Sequence, residues 1–394
     1  MVSSPLARAQ SPEPGAPDPS KVRVRIGPLW LNPTLALTNA GVDTNVFNEA
    51  DQLAPKQDFT VTVTPATDLW LRFGRTWLNG TIKEDLVYYN KYASERSANN
   101  SYKIGWLVPL NRLTLNAGAD YLNTRERPGF EIDARSQRNE LAYNGAVEIR
   151  ALSKTFFGVR GEHRKVNYDK AAVFLNSNLQ FELNRTMTTG ALTVRHQLTP
   201  LTSLTVDVSR EQDRFEFSPP RDSNSTLVSG GLKFDPFALI KGGASFGYRD
   251  FQPLSSGLPG YKGGTAAVDL SYVALGSTKL GVTATRDVQY SYEINQPYYL
   301  LTGTTGSIAQ QIFGPLDVVG RVGVQRLDYR NRAGAVVAVS GRTDYVHSYG
   351  GGIGYRIGRD IRIGFNIDHG HRTSAVDIRQ YNGLTYGTSV TYGL

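Results

Sequence analysis

Cysteine is absent from this 394-residue chain. Disulfide frameworks, thiolate-bound zinc and thiol catalysis are therefore excluded. No apolar run approaches the roughly 18 residues that a membrane-spanning helix needs. Helical spacing of apolar residues is missing as well. The chain carries no G-x-S-x-G elbow, no P-loop and no dinucleotide fingerprint. No catalytic residue and no cofactor is expected, and the expectation is of a protein that is not an enzyme. Net charge is +8 with a pI near 9.4. No basic cluster interleaves with aromatics in the manner of nucleic-acid binders, so nucleic acid is not an expected partner. An anionic solute or lipid headgroup remains open.

Glycine is abundant, with 40 residues, and tyrosine reaches 21. Mean hydropathy is −0.32. By hydropathy alone the chain reads as soluble, but a transmembrane barrel hides its apolar residues at every second position. The last eleven residues, LTYGTSVTYGL, have that form. Leu384, Tyr386, Val390, Tyr392 and Leu394 fall two apart, with small or polar residues between them, which is the pattern of a half-buried strand.

The same alternation runs through the chain. From Phe59 the odd positions read Phe, Val, Val, Pro, Thr, Leu, Leu, Phe, and the even ones are mostly polar. Short turn signals recur roughly forty residues apart, at FGRT (Phe73), VPLNR (Val108), ALSK (Ala151), LTPLT (Leu198), FDPFA (Phe234), ALGST (Ala274), FGPLD (Phe313) and IGRD (Ile357). They are built from the tight-turn residues, and longer polar segments such as NTRERPGFEID and QPLSSGLPGYK lie between them. Eight short turns and nine long loops give about eighteen strands. The strands are longer than the five or six residues usual in soluble sheets. The expected fold is all-β: a single antiparallel outer-membrane β-barrel with short periplasmic turns and long extracellular loops. The last strand should pair with the first, about Leu29 to Thr38, which would leave no open edge in lipid.

Residues 28–394 are expected to form the barrel. Residues 1–27 read as a signal-peptide remnant and a Pro-rich tail, with Ala7-Arg8-Ala9 resembling a cleavage site and five prolines before Lys21. A plain disordered tail is the alternative reading.

Alternation also assigns faces. Arg72, Lys103, Arg195, Arg321, Arg356, Arg362 and Arg372 should point into the lumen, as should Asp68, Asp207, Glu211, Asp287 and Asp368. Charges inside a pore set its ion selectivity. Seven cations against five anions predict a weak preference for anions, unless the charges pair across strands. Gly350, Gly352 and Gly354 should also face inward. Glu84 and Arg286 fall on the lipid face, where a charge costs about 2–4 kcal/mol at mid-bilayer. They are expected near the outer leaflet, beside a bulge or at a subunit contact. Tyr88, Tyr89, Tyr290, Tyr292, Tyr298, Tyr299, Tyr345 and Tyr349 lie at strand ends, where interface girdles would place them. His369 and His371 could pair on a metal, but an interfacial pair is the plainer reading, and no metal is expected.

The opening LNPTLALTNAGVDTNVFNEA, with Asp43, Asn45, Val46 and Phe47, resembles a family of porin-like outer-membrane β-barrels often associated with exopolysaccharide gene clusters. The stretch VTPATDLWLRFGRTWLNGTIKEDLVYY looks like that family's second strand, turn and third strand, and SFGYRDF (Ser245 to Phe251) resembles a recurring strand end. The resemblance covers about residue 28 to the end. It implies an outer-membrane pore in a Gram-negative bacterium that serves polysaccharide export, and no catalytic residue. The terminal pattern at Tyr386, Val390, Tyr392 and Leu394 also resembles an outer-membrane assembly signal, with Leu where Phe is usual. Expected partners are outer-membrane lipid, the assembly machinery, and polysaccharide or small anions. The competing functions are a general diffusion porin for small anions, a barrel enzyme and a structural anchor.

Overall fold

The computed structural model describes residues 17, 22–235, 238–337 and 339–393. Most of the expected tail, with Ala7-Arg8-Ala9, lies outside the described residues, as does Leu394. Eighteen long strands run β1 Leu29–Asp43, β2 Asp58–Phe73, β3 Thr76–Tyr89, β4 Ser97–Pro109, β5 Leu113–Thr124, β6 Arg138–Arg150, β7 Thr155–Tyr168, β8 Arg185–Thr199 and β9 Thr202–Phe215. They continue with β10 Ser223–Phe234, β11 Ile240–Pro253, β12 Tyr261–Ala274, β13 Thr278–Tyr290, β14 Tyr298–Phe313, β15 Leu316–Arg330, β16 Thr343–Ile357, β17 Ile361–Thr373 and β18 Tyr381–Tyr392. Each pairs antiparallel with its neighbours in sequence, and β18 returns to pair with β1. The sheet is therefore closed, and backbone donors and acceptors are met without an open edge. The short turns sit at the predicted positions, that at FDPFA running through residues 236–237, which lie outside the described residues. Nine longer connections lie at the other end of the barrel.

The alternation translates directly into faces. On β17, Ile361, Ile363, Phe365 and Ile367 are exposed on the outer wall, while Arg362, Gly364, Asn366 and Asp368 face the interior. The first strand extends five residues beyond its expected end at Thr38 because it carries a bulge between Leu37 and Ala40 opposite β18. Asn39 has φ +53° there. At Gly41 a Cβ would collide with Tyr386 O, so the seam closes only with glycine at this point. The expected boundary at 27/28 also moves. Val24–Ile26 forms a short strand on β1, turning at Gly27 with φ +56°.

The aromatic girdle is smaller than expected. Tyr88, Tyr345 and Tyr349 are exposed on the outer face, but Tyr89, Tyr292, Tyr298 and Tyr299 are buried, and Tyr290 donates inward to Asp213 Oδ2 at 2.9 Å. Adjacent strand residues alternate faces, so Tyr88 and Tyr89 could not both meet lipid. The buried tyrosines instead join the packing beneath the long loops. One apolar cluster there holds Ile132, Val166, Tyr168, Phe174, Leu179, Leu183 and Tyr292. A second holds Tyr299, Leu301, Leu327, Tyr329 and Val346. The first includes a one-turn helix, α1 Leu179–Leu183, capped where Asn178 Oδ1 accepts from Gln180 N–H at 2.9 Å.

Candidate pore constriction

The connection between β5 and β6, residues 125–137, turns at Pro128-Gly129 and lies inside the barrel rather than above it. Gly129 has φ +85°, which glycine adopts at no steric cost. Apolar and acidic residues alternate after it: Phe130, Glu131, Ile132, Asp133. Ile132 enters the buried cluster on β7 and α1. Phe130 lines a cavity against Asp269 on β12, Thr283 on β13, Thr305 on β14 and Gln325 on β15. In an eighteen-strand ring β14 stands nine strands from β5 (14 − 5), so the loop spans the lumen from one wall to the opposite one. The connection between β1 and β2, residues 44–57, supports loop 125–137, whose Arg127 Nη2 donates to Val46 O at 2.8 Å.

Two arginines from the far end of the chain hold the loop down. Arg372 Nη1 donates to Asp133 Oδ2 at 2.6 Å, and Arg379 Nη1 lies 3.0 Å from the same oxygen. Arg372 Nη2 also donates to Phe130 O, and Arg379 Nη2 to Glu131 O. Glu131 accepts from Ser291 Oγ at 2.6 Å and from Tyr292 N–H at 3.2 Å. Burial pushes the Glu131 carboxyl above its ordinary value, against the opposing effects of Ser291 and Arg379. Burial likewise raises the Tyr292 hydroxyl to about 12. Charges this deep persist only when they are paired and hydrogen-bonded. Neighbouring loops are tied in similarly: Arg342 donates to Asp344 at 2.6 Å, and Arg221 lies 2.9 Å from Glu182.

Cavities lie on the two sides of the loop. A cavity of about 390 Å³ lies between it and β1–β4, lined by Asp43, Thr60, Arg125 and Arg135 among others. Another of about 440 Å³ separates it from β6–β8 and β13–β14, lined by Arg138, Glu140, Arg164, Arg185 and Tyr299. These are solute-sized spaces.

On the wall, inward charges are linked to one another. Arg321 Nη2 lies 2.9 Å from Asp368 Oδ1, passing over Gly350 of the intervening strand. A Cβ there would come within 3.0 Å of Arg321 Nε and strike Asp368. Arg362 Nη2 lies 2.6 Å and Arg356 Nε 3.2 Å from Asp317. Arg362 lies over Gly354, so Gly350 and Gly354 make room for side chains that bridge β15 and β17, while Asn366, over Gly352, bonds Ser389 on β18 at 3.3 Å. Arg195 Nε donates to Glu148 at 2.9 Å and lies 3.9 Å over the Phe156 ring. Asp207 accepts from Thr193 at 2.5 Å and meets Arg160 at 3.6 Å. Arg249 holds both Glu211 and Asp287, at 3.3 Å and 2.8 Å. Asp68 accepts from Thr81 at 2.8 Å. Lys103 stands opposite Asp120 on β5. Arg72 sits at the turn end, where its Nε donates to Gly74 O at 3.2 Å. Arg372 is 0% exposed in side-chain terms, so it holds the loop instead of presenting its charge to solute. The anion preference predicted from sequence rested on free cations, and Arg321, Arg356 and Arg362 are each tied to an aspartate.

Sequence reasoning missed Phe130, Glu131, Asp133, Arg249, Asp317 and Arg379. Alternation from Arg321 would have placed Asp317 inward. The loop residues left only the alternation of acids with Phe130 and Ile132 as a signal. On the outer wall, Glu84 accepts from Tyr102 Oη, and Arg286 Nη1 donates to Thr302 Oγ1 at 2.8 Å. Both charges thus find polar partners on that face. His369 Nε2 bonds Asn382 Oδ1 at 2.5 Å, and His371 stacks on His347. No group of three metal-ligating residues occurs among the described residues.

A family model described as Putative beta-barrel porin 2 matches residues 18–393. No curated protein matches the chain. Among solved structures, a BenF-like porin from Pseudomonas fluorescens Pf-5 is similar in fold, with a TM-score of 0.50 at 10% identity, covering 93% of this chain and 98% of that one. OccAB4 from Acinetobacter baumannii gives 0.48 at 9%, covering 92% and 97%. CdiB from the same organism gives 0.42 at 11%, and the chain spans 60% of its length.

Proposed function

We propose a loop-narrowed diffusion channel as the function of this chain, which belongs to the Putative beta-barrel porin 2 family and is an outer-membrane β-barrel of a Gram-negative bacterium. The observation that carries the proposal is loop 125–137, fixed across the lumen by Arg372 and Arg379 on Asp133. A closed sheet with a polar inner face holds water, and a loop clamped inside it restricts the passage to small hydrophilic solutes. The reading is of passive transport without catalysis.

The polysaccharide expectation takes a narrower form in this proposal. A single extended glycan suits the spaces beside the loop better than a bulky polymer does. The pairing of Arg321, Arg356 and Arg362 with aspartates favours a neutral solute over small anions. We also assign the terminal strand the role of contacting the outer-membrane assembly machinery.

Reconstitution tests the channel. Purified protein in a planar bilayer should give discrete open steps, and liposomes carrying it should swell more slowly as the external sugar grows from a pentose to a tetrasaccharide. A barrel that inserts but passes no current would mark a structural anchor and end the channel reading.

A further inference from the structure

Beneath the tip of loop 125–137 lies a cavity of about 620 Å³, within the roughly 300–1,000 Å³ range of small-molecule sites. Phe130, 39% exposed, forms one side of it. The inner faces of β12 to β15 form the other, with Asp269, Thr283, Thr285, Thr305 and Gln325. Small residues keep this wall low, among them Gly243, Ala267 and Gly303.

Two features of the cavity bear on what it could hold. Gln325 is only 6% exposed, and its Oε1 has no hydrogen-bond partner. It occupies space over Gly303, where a Cβ would collide with it. Buried amides in native proteins are nearly always partnered, and a turn of this side chain off Gly303 would present its oxygen to a group that enters the cavity. Asp269 is the second feature. Most other inward carboxylates are tied to arginine, whereas Asp269 forms no ion pair among the described residues. The platform opposite is fixed, because Arg372 Nη2 donates to Phe130 O.

An aromatic face set against a carboxylate, an amide and several hydroxyls matches the chemistry of a sugar ring. The C–H face of a pyranose packs on an aromatic ring, and its hydroxyls donate and accept in several directions at once. An anion would meet repulsion from Asp269. An organic cation could use Asp269 and the Phe130 face, but a single charge does not engage hydroxyls and an amide spread over β13, β14 and β15. We propose that this cavity is a saccharide subsite of the channel, in which a pyranose stacks on Phe130 and hydrogen-bonds Asp269, Gln325 and the threonine hydroxyls. The subsite rests on the channel reading and gives its solute a chemical class.

Current through the full-length protein in a planar bilayer tests it, with maltotriose as the probe and tetraethylammonium as the cationic control. Maltotriose should interrupt the current in a concentration-dependent way. Phe130→Ala should weaken that binding about tenfold, Phe130→Tyr should retain it, and Gln325→Leu should weaken it while the channel still opens. A conducting wild type that maltotriose does not interrupt would overturn the subsite. So would interruption by tetraethylammonium alone, or equal binding by Phe130→Ala. Absence of any conductance would instead bring down the channel reading, and the subsite with it.

Discussion

Arg372 and Asp133 stand 239 residues apart in sequence and meet at 2.6 Å inside the barrel. One belongs to the penultimate strand and the other to the loop after β5. Their contact ties the loop across the lumen. Removing one partner of a buried ion pair costs about 3–5 kcal/mol, because the other charge is left uncompensated. Arg372→Met should therefore release the loop while the barrel stays closed, since no backbone pairing depends on that side chain. Trypsin should then cut after Arg125 or Arg135 in the folded variant but not in the wild type. Equal protection of both would show that Arg379 and Ser291 suffice to hold the loop.

The seating of the loop should also depend on pH. Burial holds the Glu131 carboxyl above its ordinary value, so the seated loop takes up a proton more readily than a released one. Linkage then makes the Glu131 contribution to seating largest below the ordinary carboxylate range, and that contribution weakens as pH rises through the raised value. Brief open-state excursions in single-channel records should become rarer on acidification. Glu131→Gln should flatten that dependence. More frequent excursions at acid pH would have the wrong sign for this explanation.

Asp317 offers a test of the wall. It is buried and ion-pairs both Arg356 and Arg362, offsetting one of their two charges. In the wild type the reversal potential under a salt gradient should lie near that of a non-selective pore. Asp317→Asn leaves two cations facing the lumen, and low-dielectric walls focus such an excess, so the potential should move towards anions. An unchanged potential in the variant would mean that these arginines are screened from the ion path.

The barrel was readable from the sequence because its membrane strands keep one period over most of their length, broken only locally at bulges such as that at Leu37/Ala40. A slip of one residue on β17 would turn Ile361, Ile363, Phe365 and Ile367 away from lipid. Turn chemistry at Gly74, Gly276, Gly314 and Gly358, all with positive φ, fixed the spacing. The constriction was not readable in the same way. Whether loop 125–137 folds inward depends on Arg372, Arg379 and Ser291, which join it only after the sheet has closed, and no local pattern reports that. The wall lay between these cases. Alternation identified Arg321 and Asp368 as inward, but not that Gly350 between them lets them touch. Tyr299 reads in sequence as a girdle residue because tyrosine suits an interface and a buried strand end equally well.

Closure of the seam should govern assembly. Tyr392 pairs with Leu35 on one side and Ile361 on the other, and Gly393 N–H donates to Asp360 O at 2.8 Å. Arg23 donates to Gly393 O at 2.8 Å. Deleting Tyr392 to Leu394 removes these contacts without touching the constriction. Little heat-modifiable barrel should reach the outer membrane, and normal amounts there would show that the seam closes without its last residues.

The central claim is that loop 125–137 is the constriction, and its single-channel conductance is the most direct measure. Replacing residues 126–136 with a short Gly-Ser linker leaves β5 and β6 paired and empties the lumen of Phe130, Glu131 and Asp133. The loop-deleted barrel should conduct severalfold more than the wild type and lose its pH-dependent excursions. Equal conductance in the two proteins would contradict the account, because the passage would then be set by the wall or by another loop.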